Sequence, residues 1–106
     1  MIADSTFSSF VSDDVVNNLR AAGDEFNEAA RQGNLTESLG QKYIRALTAY
    51  ERELYDCPYS PTTNMVQPTA HDSVMMGRMR EELARVQKER SRVVNQFGGY
   101  LSMDED

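Results

Sequence analysis

The sequence predicts an all-α protein: a helical hairpin followed by a long third helix, packed as a three-helix bundle-like protomer. Apolar residues recur at steps of three and four in three separate stretches, the spacing of one helix face. Ser12, Thr36 and Thr69 each precede one of these stretches, where a hydroxyl oxygen caps free backbone N–H groups. Gly33 and Pro58 follow the first two stretches, and both residue types end helices.

Composition limits the classes of protein to consider. The 106 residues fit one domain, 1–106, and 17 acidic against 11 basic side chains give a net charge of −6. This balance disfavours nucleic acid as a direct partner. Cys57 is the single cysteine, so neither an internal disulfide nor a cysteine zinc site is expected. The first ten residues do not resemble a signal peptide and no apolar run is long enough to span a membrane, so we expect a cytoplasmic protein without a membrane partner.

The first predicted helix begins after Ser12 and ends near Gln32. Asp13 and Asp14 lie in its first turn, where the helix dipole favours negative charge. The apolar stripe consists of Val15, Leu19, Ala22, Phe26 and Ala29. Several members of this helix are small, so a partner helix can approach it closely.

The second predicted helix runs from Thr36 to Tyr55. Its apolar seam consists of Tyr43, Leu47, Tyr50 and Leu54. Because the turn at 33–35 is short, the two helices are expected to pack as an antiparallel hairpin over residues 12–55, preceded by an N-terminal segment, 1–11.

A crossover with three prolines, 56–70, separates the hairpin from the third helix. It is longer than most connections between helices. One interpretation is an extended strap across the bundle, pinned by Tyr59, Met65 and Val66. The alternative is a mobile loop that is available to a partner.

The third predicted helix, 71–98, has the clearest pattern in the chain. Thr69 and Asp72 have the spacing of a capping box, and apolar residues then recur through three heptads with one polar interruption, Arg90. A polar residue in such a seam can fix the register of packed helices, and Tyr43 and Tyr50 could receive its guanidinium on their ring faces. The candidate interface residues are Met76, Met79, Leu83, Val86, Arg90, Val93 and Phe97 with Tyr43 and Tyr50.

The length of the third helix predicts self-association. At 1.5 Å per residue it is about 39 Å long, against about 30 Å for each helix of the hairpin. About two turns of its apolar seam therefore stay uncovered unless the crossover or the N-terminal segment packs there. An exposed apolar seam usually marks an interface, so we expect the protomer to form homo-oligomers.

A second pattern lies on the outer face of the same helix. Arg78, Arg85 and Arg92 recur every seven residues, with Lys88 beside them, and are candidate anion-binding residues. The ordinary alternative is a solvated face on which these cations pair with Glu81, Glu82 and Glu89. Carboxylate pairs such as Glu81 and Glu82 are expected on helix exteriors.

The residues that usually support catalysis or metal binding are sparse. His71 and Cys57 could pair as base and nucleophile, but nothing in the sequence orients them towards each other. None of the common zinc, di-iron, calcium or phosphate-loop spacings occurs. We therefore predict that the chain is not an enzyme and needs no cofactor or metal.

The sequence favours a noncatalytic, acidic helical module that binds copies of itself or another protein. One alternative is an acidic inhibitor or mimic that blocks a nucleic-acid-binding protein, since the first half and the tail at 99–106 are acidic. Another is an oligomer that holds an anionic, nucleotide-like ligand through the arginine stripe of the third helix.

Overall fold

The computed structural model is an all-α fold of three helices: α1 (Asp13–Gln32), α2 (Glu37–Tyr55) and α3 (Ala70–Gln96). It describes Phe7, residues 10–61 and residues 66–97. The prediction of an all-α bundle is confirmed. Met65 of the crossover and the acidic tail at 99–106 lie outside the described residues. None of the described helices is both long enough and apolar enough to cross a membrane.

Each helix begins at the hydroxyl residue that the sequence indicates. Ser12 accepts a hydrogen bond from the N–H of Val15, and Thr36 accepts one from the N–H of Leu39. Thr69 and Asp72 form a reciprocal capping box at the start of α3. Each cap side chain therefore satisfies one free backbone amide of the first turn, and the helix starts are fixed by short-range chemistry.

α1 and α2 form the antiparallel hairpin. Gly23 allows the ring of Tyr43 to lie against the backbone of α1, because a Cβ at this glycine would be 3.3 Å from the Tyr43 ring. Phe26 packs on the same ring at a centroid distance of 5.3 Å. Val16 is buried where Val15 was expected to be, and Val15 is half-buried. The buried face of α1 is thus rotated slightly towards Val16 at its first turn.

The core lies along α2, against which both other helices pack. Six of the nine candidate interface residues are buried inside this single chain: Tyr43, Tyr50, Met79, Leu83, Val86 and Val93. They are covered because α2 lies along the seam of α3. Met76, Arg90 and Phe97 are half-buried. Of the candidate interface residues, Met76, Arg90 and Phe97 therefore remain partly accessible to a second chain.

The register of α3 on α2 leaves one end of α3 projecting. The hydroxyl of Tyr43 contacts Glu89 and that of Tyr50 contacts Glu82, which places the end of α2, at Tyr55, near Gly77. The first two turns of α3, residues 70–76, therefore extend beyond α2. We call these two turns the α3 overhang.

The base of the bundle, where α1 begins and α2 ends, is closed by the segments that flank the hairpin. Phe7, Val11, Cys57 and Ser60 are buried there, and Tyr59 packs against the core. In this part of the crossover Cys57 and Ser60 are buried and Tyr59 is half-buried, whereas Asp56, Pro58 and Pro61 are exposed. Val66, which was expected to pin it, is 82% exposed. Val66 therefore does not pin the crossover to the bundle.

Candidate interaction surfaces

A buried carboxylate joins α2 to α3 near the middle of the bundle. Glu82 has no solvent exposure, and it accepts a hydrogen bond of 2.5 Å from the hydroxyl of Tyr50 and one of 2.9 Å from Nε of Arg85. We call Tyr50, Glu82 and Arg85 the 82 triad. The expectation that Glu82 lies on a solvated helix exterior is wrong. The carboxylate is tolerated in the core because a hydroxyl and a guanidinium bind it.

The same arrangement recurs one heptad away. The hydroxyl of Tyr43 donates to Glu89 at 2.6 Å, and Nε of Arg92 donates to the same carboxylate at 2.7 Å. We call Tyr43, Glu89 and Arg92 the 89 triad. Arg92 also lies 5.8 Å above the ring of Phe26 and donates to the side chain of Asn27. The 89 triad thus links all three helices.

The 89 triad shifts the ionisation of its members in opposite directions. The hydrogen bond from Arg92 lowers the pKa of Glu89, an effect to which the Tyr43 hydroxyl also contributes. Burial, together with the hydrogen bond to Glu89 and its negative charge, raises the pKa of the Tyr43 hydroxyl. A charged Glu89 beside a neutral Tyr43 is therefore the stable state near neutral pH.

Arg90 makes a third polar link between α2 and α3. It forms a half-buried ion pair with Glu51, with a distance of 2.8 Å between Nη1 and Oε1. Its Nη1 also lies 3.5 Å from the hydroxyl of Thr48. Its guanidinium therefore binds a carboxylate of α2, and the expectation that tyrosine ring faces receive it is wrong. Among the described residues, its buried Nε has no hydrogen-bond partner.

An open groove of about 930 Å³ runs between α1 and α3, which both pack on α2. We call it the α1/α3 groove. Its floor is formed by Leu19, Gly23 and Tyr43, and its walls are mostly polar. Four basic side chains line it: Arg20, Arg85, Lys88 and Arg92. Two acidic side chains line it, Asp24 and Glu89.

The groove includes three of the four candidate anion-binding residues. Arg85, Lys88 and Arg92 lie along its α3 wall, whereas Arg78 is exposed on α3 and does not line it. Arg85 and Arg92 also form ion pairs with Glu82 and Glu89, as the alternative of an internally paired face predicts. No spacing in the sequence connects Arg20 with this set, because only the packing of the helices places it opposite the α3 stripe.

A second surface surrounds the α3 overhang. Val74 is 54% exposed and Met76 is half-buried. Val66, just before α3, and Tyr55, at the end of α2, expose apolar surface at the same end of the bundle. We call Tyr55, Val66, Val74 and Met76 the apolar end. Of the described residues, it contains three of the four large hydrophobic side chains that are well exposed.

The described residues offer little for catalysis or metal binding. Cys57 is buried, and burial raises the pKa of its thiol, whereas His71 is exposed on the first turn of α3. Among the described side chains, no group of three or more His, Cys, Asp or Glu residues is placed to hold a metal ion. Comparison with known proteins gives no match to a family model, a curated protein or a solved structure.

Proposed function

We propose that this chain is a noncatalytic helical interaction module that self-associates through its apolar end. The observation that carries the proposal is the α3 overhang. Its two turns extend past the end of α2, and although Met75 packs against the core, Val74 is exposed and Met76 is half-buried. Apolar side chains grouped on one end of a small protein favour contact with another protein.

A second copy of the chain is the partner that fits this surface best. The overhang contains one acidic side chain, Asp72, and no Lys or Arg, so two overhangs can approach with little local repulsion. If two copies pack about a two-fold axis, the exposed Val74 of each copy can meet the apolar end of the other. The overhang of each protomer then supplies the apolar surface that α2 does not provide.

The size of the surface predicts a weak, reversible dimer. Stable protein interfaces bury at least about 1,000 Å² in total, whereas four partly exposed side chains supply only a part of that. The free energy gained by burying this surface therefore exceeds the cost of association only slightly. We expect a dissociation constant of about 10–100 μM.

Sedimentation velocity over a concentration range of about 5–500 μM tests the proposal. The wild type should shift from monomer towards dimer, and Val74→Glu should remain monomeric because it places a charge in the contact. Ala84→Glu is the matched control: it adds the same charge at an exposed position of the same helix. Circular dichroism checks that both variants remain helical.

Two results would contradict self-association. One is a wild type that stays monomeric over the whole range. The other is an equal loss of dimer in Val74→Glu and Ala84→Glu, which would show a general effect of charge and not a contact at the apolar end.

A further inference from the structure

We propose that the α1/α3 groove binds an acidic helical segment of a partner protein, which lies beside α1 and α3 as a fourth helix. The proposal rests on the role of the chain as an interaction module. It does not rest on the apolar end, because the groove and the overhang involve different residues.

The shape of the groove favours a helix over a small ligand. Its α1 wall extends from Leu19 to Asn27 and its α3 wall from Arg85 to Gln96, which corresponds to about 12 Å and about 16 Å along the two helices. These lengths match two to three turns of an α-helix. Bundles of four helices place a helix in the equivalent position, beside two helices that share a third neighbour.

The charges of the groove determine the chemistry of the partner. Four cations and two carboxylates line a groove in a chain whose net charge is −6. Arg92 pairs with Glu89 and Arg85 pairs with the buried Glu82, so the groove charges outside these ion pairs are Arg20 and Lys88 against Asp24. The walls therefore favour an acidic occupant, although the molecule as a whole would repel one.

The cations are held in different ways, and both ways assist binding. Arg85 and Arg92 are anchored by Glu82 and Glu89, so their side chains lose little freedom when a partner binds. Arg20 and Lys88 are exposed, and no ion pair involves either of them within the described part of the chain. These two side chains are thus available for carboxylates of the partner, one from each wall.

The floor determines the size of the side chains that can lie against it. Leu19 is 2% exposed and Tyr43 is 4% exposed, so the floor presents little apolar surface for a large side chain to cover. We therefore expect alanine or another small residue along the centre of the partner helix. Glutamate or aspartate is expected along both edges.

A synthetic, fluorescent helical peptide of about 16 residues tests this proposal. It carries alanine on the face that enters the groove and glutamate on both edges, and the control peptide has glutamine in place of each glutamate. Fluorescence anisotropy should show saturable binding of the glutamate peptide below about 1 mM and at least about tenfold weaker binding of the glutamine peptide.

Two double variants locate the binding. Arg20→Glu with Lys88→Glu should weaken binding by about tenfold or more. Arg78→Glu with Arg80→Glu makes the same change of charge on exposed residues that do not line the groove, and it should change the affinity by less than about threefold. NMR shifts of backbone amides on both walls should follow the anisotropy.

Several results would overturn the proposal: no saturable binding of the glutamate peptide, equal weakening by both double variants, or equal binding of both peptides. Inorganic tripolyphosphate tests the nucleotide-like alternative. If tripolyphosphate shifts the wall amides and the peptide does not, the groove is a site for small anions. Val74→Glu places a charge in the apolar end and should leave peptide binding unchanged. Failure of self-association and failure of groove binding are therefore distinguishable.

Discussion

Glu82 and Glu89 each accept hydrogen bonds from a tyrosine hydroxyl and from the Nε of an arginine, but they differ in their access to water. Glu82 is fully buried, whereas the side chain of Glu89 is 19% exposed. Water can therefore replace a lost hydrogen bond at Glu89 but not at Glu82. Tyr50 and Tyr43 both donate a hydroxyl hydrogen bond to a glutamate. Because the two glutamates differ in hydration, we expect the two hydroxyls to contribute unequally to stability.

Removing each tyrosine hydroxyl tests that difference. Tyr50→Phe should lower the free energy of unfolding by about 2–3 kcal/mol, because it withdraws a donor from a buried carboxylate. Tyr43→Phe should cost about 1 kcal/mol, because Glu89 keeps Arg92 and partial hydration. Urea denaturation at pH 7 measures both values. Equal losses, or a larger loss for Tyr43→Phe, would contradict this view of the two triads.

The 89 triad also predicts how stability depends on pH. The pKa of Glu89 is lowered in the folded state, so its contribution is present above the unfolded value of about 4.3 and is lost as the pH falls through the folded value. The pKa of Tyr43 is raised, so its contribution is present below about pH 10 and is lost above it.

Glu89→Gln tests the predicted loss of stability at acidic pH. The difference in unfolding free energy between the wild type and this variant should be constant from about pH 5 to 8 and should shrink below about pH 4. Chemical denaturation at a series of pH values measures it. Asp24→Asn is a suitable control, because Asp24 is a carboxylate of the same groove but is exposed and does not belong to a triad. A difference for Glu89→Gln that grows on acidification would contradict the lowered pKa.

The residues of the sites were predictable only where their role depends on one helix. The pairing of Glu82 with Arg85 and of Glu89 with Arg92 follows from spacing along α3. Burial of Glu82 does not, because it depends on a tyrosine of another helix. One signal was available in the sequence: Tyr43 and Tyr50 are seven residues apart, and so are Glu82 and Glu89. The position of Arg20 in the groove had no such signal.

At the scale of elements, local chemistry fixed almost all of the architecture. The three N-caps and the αL glycine at the end of α1 mark the helices to within one or two residues. Two features were harder to predict, for physical reasons. The buried face of α1 begins at Val16, in one core cluster with Phe7 and Val11 of the preceding segment, and the crossover buries Cys57 and Ser60 but leaves Val66 exposed.

Replacement of Gly33 and of Gly77 by alanine should change the unfolding free energy in opposite directions. Gly33 ends α1 with a φ of +74°, so Gly33→Ala should lower the unfolding free energy by about 1 kcal/mol. Gly77 lies inside α3, and a Cβ there meets no atom within 4 Å, so Gly77→Ala should raise it by up to about 1 kcal/mol. Thermal unfolding of both variants measures the effect. If both substitutions changed the unfolding free energy in the same direction, the roles assigned to Gly33 as a helix end and Gly77 as a helix interior would be wrong.

The two proposed surfaces respond to salt in opposite directions at the scale of the whole molecule. Copies of a chain with net charge −6 repel one another, so raising the salt from about 50 to 300 mM should strengthen the dimer. The acidic peptide is attracted by the groove, and the same change should weaken its binding. Sedimentation and anisotropy measure the two effects. If both constants move in the same direction, one of the two surfaces is wrongly assigned.

The spacing of the two triads restricts how the sequence can change. If α3 slipped by one heptad along α2, one tyrosine would still meet a glutamate, but the other would face Gln96 or Met75 and a carboxylate would lose its donor. The chain therefore tolerates replacement of a tyrosine most readily when its glutamate changes as well. Divergent copies of this fold should show covariation at 43 with 89 and at 50 with 82, so that the pattern Tyr-x₆-Tyr followed by Glu-x₂-Arg-x₃-Glu-x₂-Arg is inherited or lost as a unit.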